Sequence, residues 1–157
     1  MTPNIGLTAE QRAEVVEILH TLLSDEYVLY TKTRNYHWNV TGSNFSELHK
    51  FFETQYDELD TIIDDVAERV RALGSKTMAT LREFSEKARV SERPSEYPNA
   101  QTMLASLLAD HELIVNHLRK DLQVCNDNND AGTGDFLTGL MEQHEKMAWM
   151  LRSYLED

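Results

Sequence analysis

Apolar residues recur every three or four positions through four long stretches of the chain, the spacing of amphipathic helices. The first stretch opens on Thr8 and Gln11, a capping box in which each side chain can take a free backbone N–H of the other. Val15, Ile18, Leu19, Leu22, Leu23 and Leu29 then form one face up to about Asn39. Val40 to Asn44, containing Gly42, reads as a turn. A second helix is expected from Phe45 or Ser46. Leu48, Phe52, Leu59, Ile63, Val66, Val70 and Leu73 mark its face until Gly74 ends it. The period fades from Ser75 to Asn99 apart from a short helix over Thr80 to Ala88, and Pro94 and Pro98 close this connection. Asn99 can cap a third long helix bearing Met103, Leu104, Leu107, Leu108, Ile114, Leu118 and Leu122. Asn126 to Asp135 is polar and glycine-bearing and reads as a loop. Phe136, Leu137, Leu140, Met147, Met150, Leu151 and Leu155 mark the last helix.

One connection is long and two are short. Short loops join antiparallel neighbours, whereas the long one lets the second and third long helices run parallel. This predicts an all-α, ferritin-like four-helix bundle with a short extra helix in the second-to-third connection. Residues 1–157 are expected to form a single domain, a length that buries a proper core.

Composition narrows the class. A net charge of −12 disfavours a surface that grips nucleic acid and favours one that attracts cations. Cys125 is the only cysteine, so no intrachain disulfide forms and a reducing compartment is expected. The opening MTPNIGLTAEQR has neither the basic nor the apolar part of a signal peptide, and no apolar run reaches the ~20 residues of a membrane span. A cytoplasmic protein with no membrane contact is the expectation.

Chemistry concentrates on the second helix, where His49, Glu53, Asp57, Asp60, Asp64 and Glu68 follow at steps of three or four. Most amphipathic helices carry a solvated polar stripe, but this one holds five acids with no interleaved lysine or arginine and starts on a histidine. Asp64 and Glu68 can reach one ion together. His49 is fifteen residues upstream of Asp64, about 22 Å at ~1.5 Å of rise per residue, outside any shared coordination sphere. His37, just across the turn, can meet His49. If these four groups serve one metal, the histidines must meet the acids of another copy. Two second helices packed antiparallel about a two-fold axis near Asp57 would make two such sites by symmetry. Two histidines and two carboxylates suit iron. Carboxylates favour Fe(III) over Fe(II) and so promote oxidation. Zinc accepts the same ligand types and is a possible competing occupant.

A site inside one bundle is the rival. Glu17 and His20 form one Glu-x-x-His motif, but the chain has no second. Asp110, His111, Glu112 and His117 on the third long helix, with Glu142, His144 and Glu145 on the fourth, leave that set incomplete.

The run Lys32-Thr33-Arg34-Asn35-Tyr36-His37-Trp38-Asn39-Val40, followed by Gly42, Phe45, Leu48-His49, Phe52-Glu53, Tyr56, Glu58-Leu59, Asp64 and Ala67-Glu68-Arg69, closely resembles the Dps family of mini-ferritins. The resemblance extends to Trp149-Met150-Leu151. It implies a hollow homododecamer built from two-fold dimers. Such a cage oxidises Fe(II), with hydrogen peroxide in preference to O2, and stores ferric mineral as protection against oxidative stress. It also implies a ferroxidase site of His37 and His49 from one subunit with Asp64 and Glu68 from its mate, and Glu53 as a further acid beside it. Acidic pores at the three-fold axes would use Asp130 and Asp135, with Asp121 and Asp127 as further candidates. One departure stands out. DNA-binding members use lysine-rich tails, whereas residues 1–11 here contain no lysine or arginine and the chain ends Leu155-Glu156-Asp157. DNA binding is expected to be weak or lacking.

Overall fold

The computed structural model describes residues 3–156; Met1, Thr2 and Asp157, part of the tail reading above, lie outside the described residues. Five helices account for most of the chain: α1 (Ala9–Asn39), α2 (Phe45–Ala72), the short α3 (Leu81–Lys87), α4 (Ala100–Asp127) and α5 (Ala131–Ser153). The described residues contain no strand.

Local signals set the helix ends. Thr8 and Gln11 form the expected capping box, and Thr80 with Glu83 forms another at the start of α3. Asn99 accepts the Thr102 N–H at 3.0 Å to open α4. Past α2, Gly74 takes φ +89°, a left-handed conformation that L side chains rarely adopt. A Cβ there would also lie 2.6 Å from the Pro3 ring, so only glycine fits.

Side-chain contacts give the helix directions. Tyr30 meets Tyr56 edge-on at 6.1 Å while His37 stacks on His49 at 3.7 Å, so α1 and α2 are antiparallel. Lys32 pairs with Asp110 at 2.6 Å and Glu14 accepts from Asn128 at 2.9 Å, so α1 and α4 are antiparallel too. The second and third long helices therefore run parallel, as the long connection requires. Their shared interior holds Leu19, Leu29, Phe52, Leu59, Leu107, Ile114 and Leu118, all at 0% exposure.

The crossover is docked by one carboxylate. Asp25 on α1 is wholly buried and accepts hydrogen bonds from the Arg89 backbone N–H, from Arg89 Nε at 2.7 Å and from the Val90 N–H at 3.1 Å. Tyr27 stacks on Phe84 at 4.5 Å and seats α3 against the same helix.

The connection read as Asn126 to Asp135 is much shorter than expected. Only Asn128, Asn129 and Asp130 lie outside helix, because Asn129 takes φ 57° and reverses the chain by itself. The polar residues around it end the helices instead of forming a loop. Gly134 lies inside α5, where a Cβ would crowd Leu122 at 3.3 Å, so a glycine there lets α4 and α5 approach closely. Cys125 is fully buried beside it; burial first, then Asp130 and Asp121, pushes its thiol up to about 12. It is an inert core residue.

Candidate metal centre

The turn between α1 and α2 brings two imidazoles into face contact. His37 lies in the last turn of α1 and His49 in the first turns of α2, with rings 3.7 Å apart and inclined by 20°. Each Nδ1 reaches the other residue's backbone carbonyl, His37 Nδ1 to the His49 oxygen at 2.7 Å and His49 Nδ1 to the His37 oxygen at 2.8 Å. A carbonyl only accepts, so both Nδ1 atoms carry the hydrogen. In the neutral ring this leaves the Nε2 lone pair of each free for a metal. Outer hydrogen bonds of this kind commonly orient histidine ligands. Tyr56 meets the His37 ring edge-on at 5.2 Å, and Phe45 stacks on His49 at 5.2 Å.

The acids lie apart from this pair. Asp64 and Glu68 are exposed near the far end of α2, and His49, Asp64 and Glu68 share that one straight element. Glu53 is exposed one turn beyond His49 and faces the Tyr56 hydroxyl at 3.5 Å. None of Glu53, Asp57, Asp60, Asp64 or Glu68 is ion-paired among the described residues, whereas Asp25, Asp110, Asp121 and Asp130 each have an arginine or lysine. No group of three His, Cys, Asp or Glu side chains surrounds a common point among the described residues. Within one subunit the two histidines and the acids Asp64 and Glu68 are separated along α2.

The pore candidates divide. Asp130 is buried at 4% exposure: it caps α5 through the Thr133 N–H at 2.9 Å and pairs with Arg69 at 3.1 Å. Within the subunit this carboxylate is committed to α2 and α5. Asp121 is likewise buried, 3.8 Å from Arg89. Asp127, which accepts from Gln123 at 2.8 Å, and Asp135 are exposed.

The rival set also falls apart at the surface. Glu17 pairs with Lys87 on α3, Glu112 with Arg152 and Glu145 with Arg119. His111 and His144, however, are completely buried in the bundle, where they meet Glu26, also at 0% exposure. The two Nδ1 atoms are 2.9 Å apart, and His144 Nε2 is 2.9 Å from Glu26 Oε1. Burial first, then His144, pulls the His111 ring well below its ordinary range and keeps it neutral. Sequence reasoning missed Glu26. The signal was there: it lies four residues after Leu22 and three before Leu29, a carboxylate in the apolar register of α1.

The ferritin-like domain family matches residues 16–157. An uncharacterised low-temperature-induced protein of Nostoc sp. is 46% identical over 98% of this chain and 86% of its own length. The DNA protection during starvation protein 2 of Bacillus anthracis is 37% identical over 90% of this chain and 97% of its own. A Dps crystal structure from Vibrio cholerae, described as a member of a broad superfamily of ferritin-like diiron-carboxylate proteins, superposes with a TM-score of 0.92. Its identity is 29%, and the match covers 99% of this chain and 98% of that one.

Proposed function

Since the chain belongs to the Dps family of ferritin-like proteins, we propose that it is a ferroxidase and iron store that consumes Fe(II) and peroxide together and so protects against oxidative stress. Residues 1–157 form one ferritin-like domain, and copies assemble through α2 about a two-fold axis near Asp57. His37 and His49 of one subunit, with Asp64 and Glu68 of the partner subunit, then enclose each of two symmetric sites. The observation that carries this reading is the reciprocal lock between His37 and His49. It leaves two Nε2 lone pairs free while α2 keeps the carboxylates of the same chain about 22 Å away.

Iron is the substrate here. The neutral imidazoles bind Fe(II), the paired carboxylates stabilise Fe(III), and Glu53 is a further oxygen ligand for the departing ferric ion. Peroxide takes one electron from each of two Fe(II) ions. Its O–O bond breaks, and with two protons it leaves as two waters, so no hydroxyl radical is released. Hydrogen peroxide is the preferred oxidant and O2 the slower one. Dimers build a cytoplasmic dodecamer whose three-fold pores are lined by Asp135 and Asp127, with Asp130 holding the start of α5 beneath them. Zinc competes for the same ligands.

Anaerobic addition of Fe(II), which should be silent, followed by peroxide is expected to raise the near-ultraviolet absorbance of ferric species within the protein fraction. A protein that binds Fe(II) yet gives no peroxide-dependent signal would be a zinc or structural bundle, and this reading would be lost.

DNA plays no large part in this reading. Twelve chains at −12 each would carry about −144, a field that repels phosphate. In a low-salt gel shift at neutral pH, duplex DNA is expected to run free. Tight binding without added divalent metal would contradict the charge argument.

A further inference from the structure

The core of the bundle contains a carboxylate that no lysine or arginine meets. Each other buried carboxylate has a permanent cation: Asp25 and Asp121 have Arg89, Asp110 has Lys32, and Asp130 has Arg69. Glu26, at 0% exposure, faces imidazoles only. Isolated buried charge is among the costliest features a fold can keep.

Two occupants could balance it, a shared proton or a metal cation, and geometry separates them. A proton stabilises a His–Glu pair along the N–H bond, so the carboxylate should sit on that axis. Glu26 Oε1 comes within 2.9 Å of His144 Nε2, yet neither atom has a hydrogen-bond partner, which places the oxygen off the axis. An ion imposes no such axis. Two ligand atoms each ~2.1 Å from one ion and at right angles to each other lie roughly 3 Å apart. Further buried oxygens lack partners as well: Glu26 Oε2, and Oε1 of Gln55, a residue 2% exposed whose Nε2 donates to the Met147 carbonyl at 3.4 Å. The side chain next in line has the right role. His144 Nδ1 lies 2.9 Å from His111 Nδ1, so one of the two donates to the other; with the hydrogen on His144 Nδ1, its Nε2 is the lone-pair end.

We propose that Glu26 on α1 and His144 on α5 form a second cation site inside each subunit, for a first-row divalent metal, with His111 on α4 positioning the His144 ring. Imidazole nitrogen with carboxylate and amide oxygen suits Zn(II), Fe(II) or Mn(II) rather than magnesium or calcium. Gln55 on α2, whose Oε1 is buried and unpartnered, is the candidate for a third protein ligand, which would give a donor from three of the four long helices. Only two of the ligating groups are His, Cys, Asp or Glu, which agrees with the lack of a three-residue cluster among the described residues. The site differs from the intersubunit one in two respects: it needs no partner chain, and it is sealed from solvent. An ion there exchanges only when the bundle opens.

Co(II) serves as the probe, measured on full-length protein stripped with chelator, reloaded and passed rapidly through a desalting column. In the His37→Ala/His49→Ala protein, about one Co(II) per chain is expected to survive, with visible bands of nitrogen and oxygen ligation. Adding the isosteric Glu26→Gln substitution should remove that ion. Adding His111→Asn instead should shift the bands and speed Co(II) loss while circular dichroism stays unchanged, which a purely structural role would not produce. The proposal is overturned if the His37→Ala/His49→Ala protein retains no Co(II), or if Glu26→Gln leaves retention unchanged. Should Glu26→Gln fail to fold, His144→Gln in the same background makes the same test. The intersubunit reading fails separately, by unchanged Fe(II) oxidation when His37 and His49 are replaced.

Discussion

A mixture of two inactive chains is expected to recover Fe(II) oxidation. In the first, His37→Ala and His49→Ala remove the imidazoles; in the second, Asp64→Ala and Glu68→Ala remove the carboxylates. Each protein alone should oxidise Fe(II) with peroxide no faster than free solution does, because every site lacks half its ligands. Co-expressed, the two chains pair at random and half of the dimers are mixed. Within a mixed dimer one site receives wild-type histidines from one chain and wild-type acids from the other, while its mate receives neither. Recovery to about a quarter of the wild-type rate follows from two-fold symmetry. The measurement is stopped-flow absorbance of ferric species on assembled protein, with subunit composition checked by mass spectrometry. A mixture that stays inactive, although mixed dimers are present, would mean that the two halves do not serve one site. Full activity in the doubly histidine-substituted parent would remove His37 and His49 from the mechanism. The physical basis is length: a single α2 holds His49 and Asp64 at opposite ends, and no side chain spans that distance.

The largest effect on stability is expected at Asp25. Replacing it with alanine leaves the Arg89 and Val90 backbone N–H groups and the Arg89 guanidinium without their carboxylate, in a place where Asp25 has no exposure to water. Removing one member of a buried pair costs about 3–5 kcal/mol. For a chain of this size that lowers Tm by roughly 6–20 °C. Glu17→Ala is the contrast. It breaks an ion pair to Lys87 in the same α1–α3 region, but Glu17 is 66% exposed, so a change within ~1 kcal/mol is expected. Thermal melts of the two variants beside the parent check both statements. Equal destabilisation would show that Asp25 does not dock the crossover.

Much of the architecture was legible in the chain. Four apolar periods, the capping pairs Thr8–Gln11 and Asn99–Thr102, and a single long connection were enough for the helix order and for the parallel run of α2 and α4. These are local or topological properties, and local chemistry reports them. Misreading the segment from Asn126 to Asp135 had a local cause as well. Asn, Asp and Gly serve helix ends as readily as loops, and only the backbone shows that Asn129 alone makes the turn. Asp130 shows the same point, since within the subunit this acid of the supposed open loop is a buried cap tied to Arg69.

For the metal chemistry the division is sharper. Residue spacing by itself determined that His49 cannot meet Asp64 or Glu68 in one chain, because helical rise is a constant of the backbone. It also placed His37 within reach of His49 across a five-residue turn. Only the tertiary structure decided how those rings are held: each Nδ1 is committed to the other's carbonyl, a cross-helix exchange that no residue pattern encodes. Nor could spacing bring Glu26 to His111 and His144, which lie far apart in sequence on three different helices. Periodicity reports which face of a helix is buried, whereas packing alone decides what that face meets.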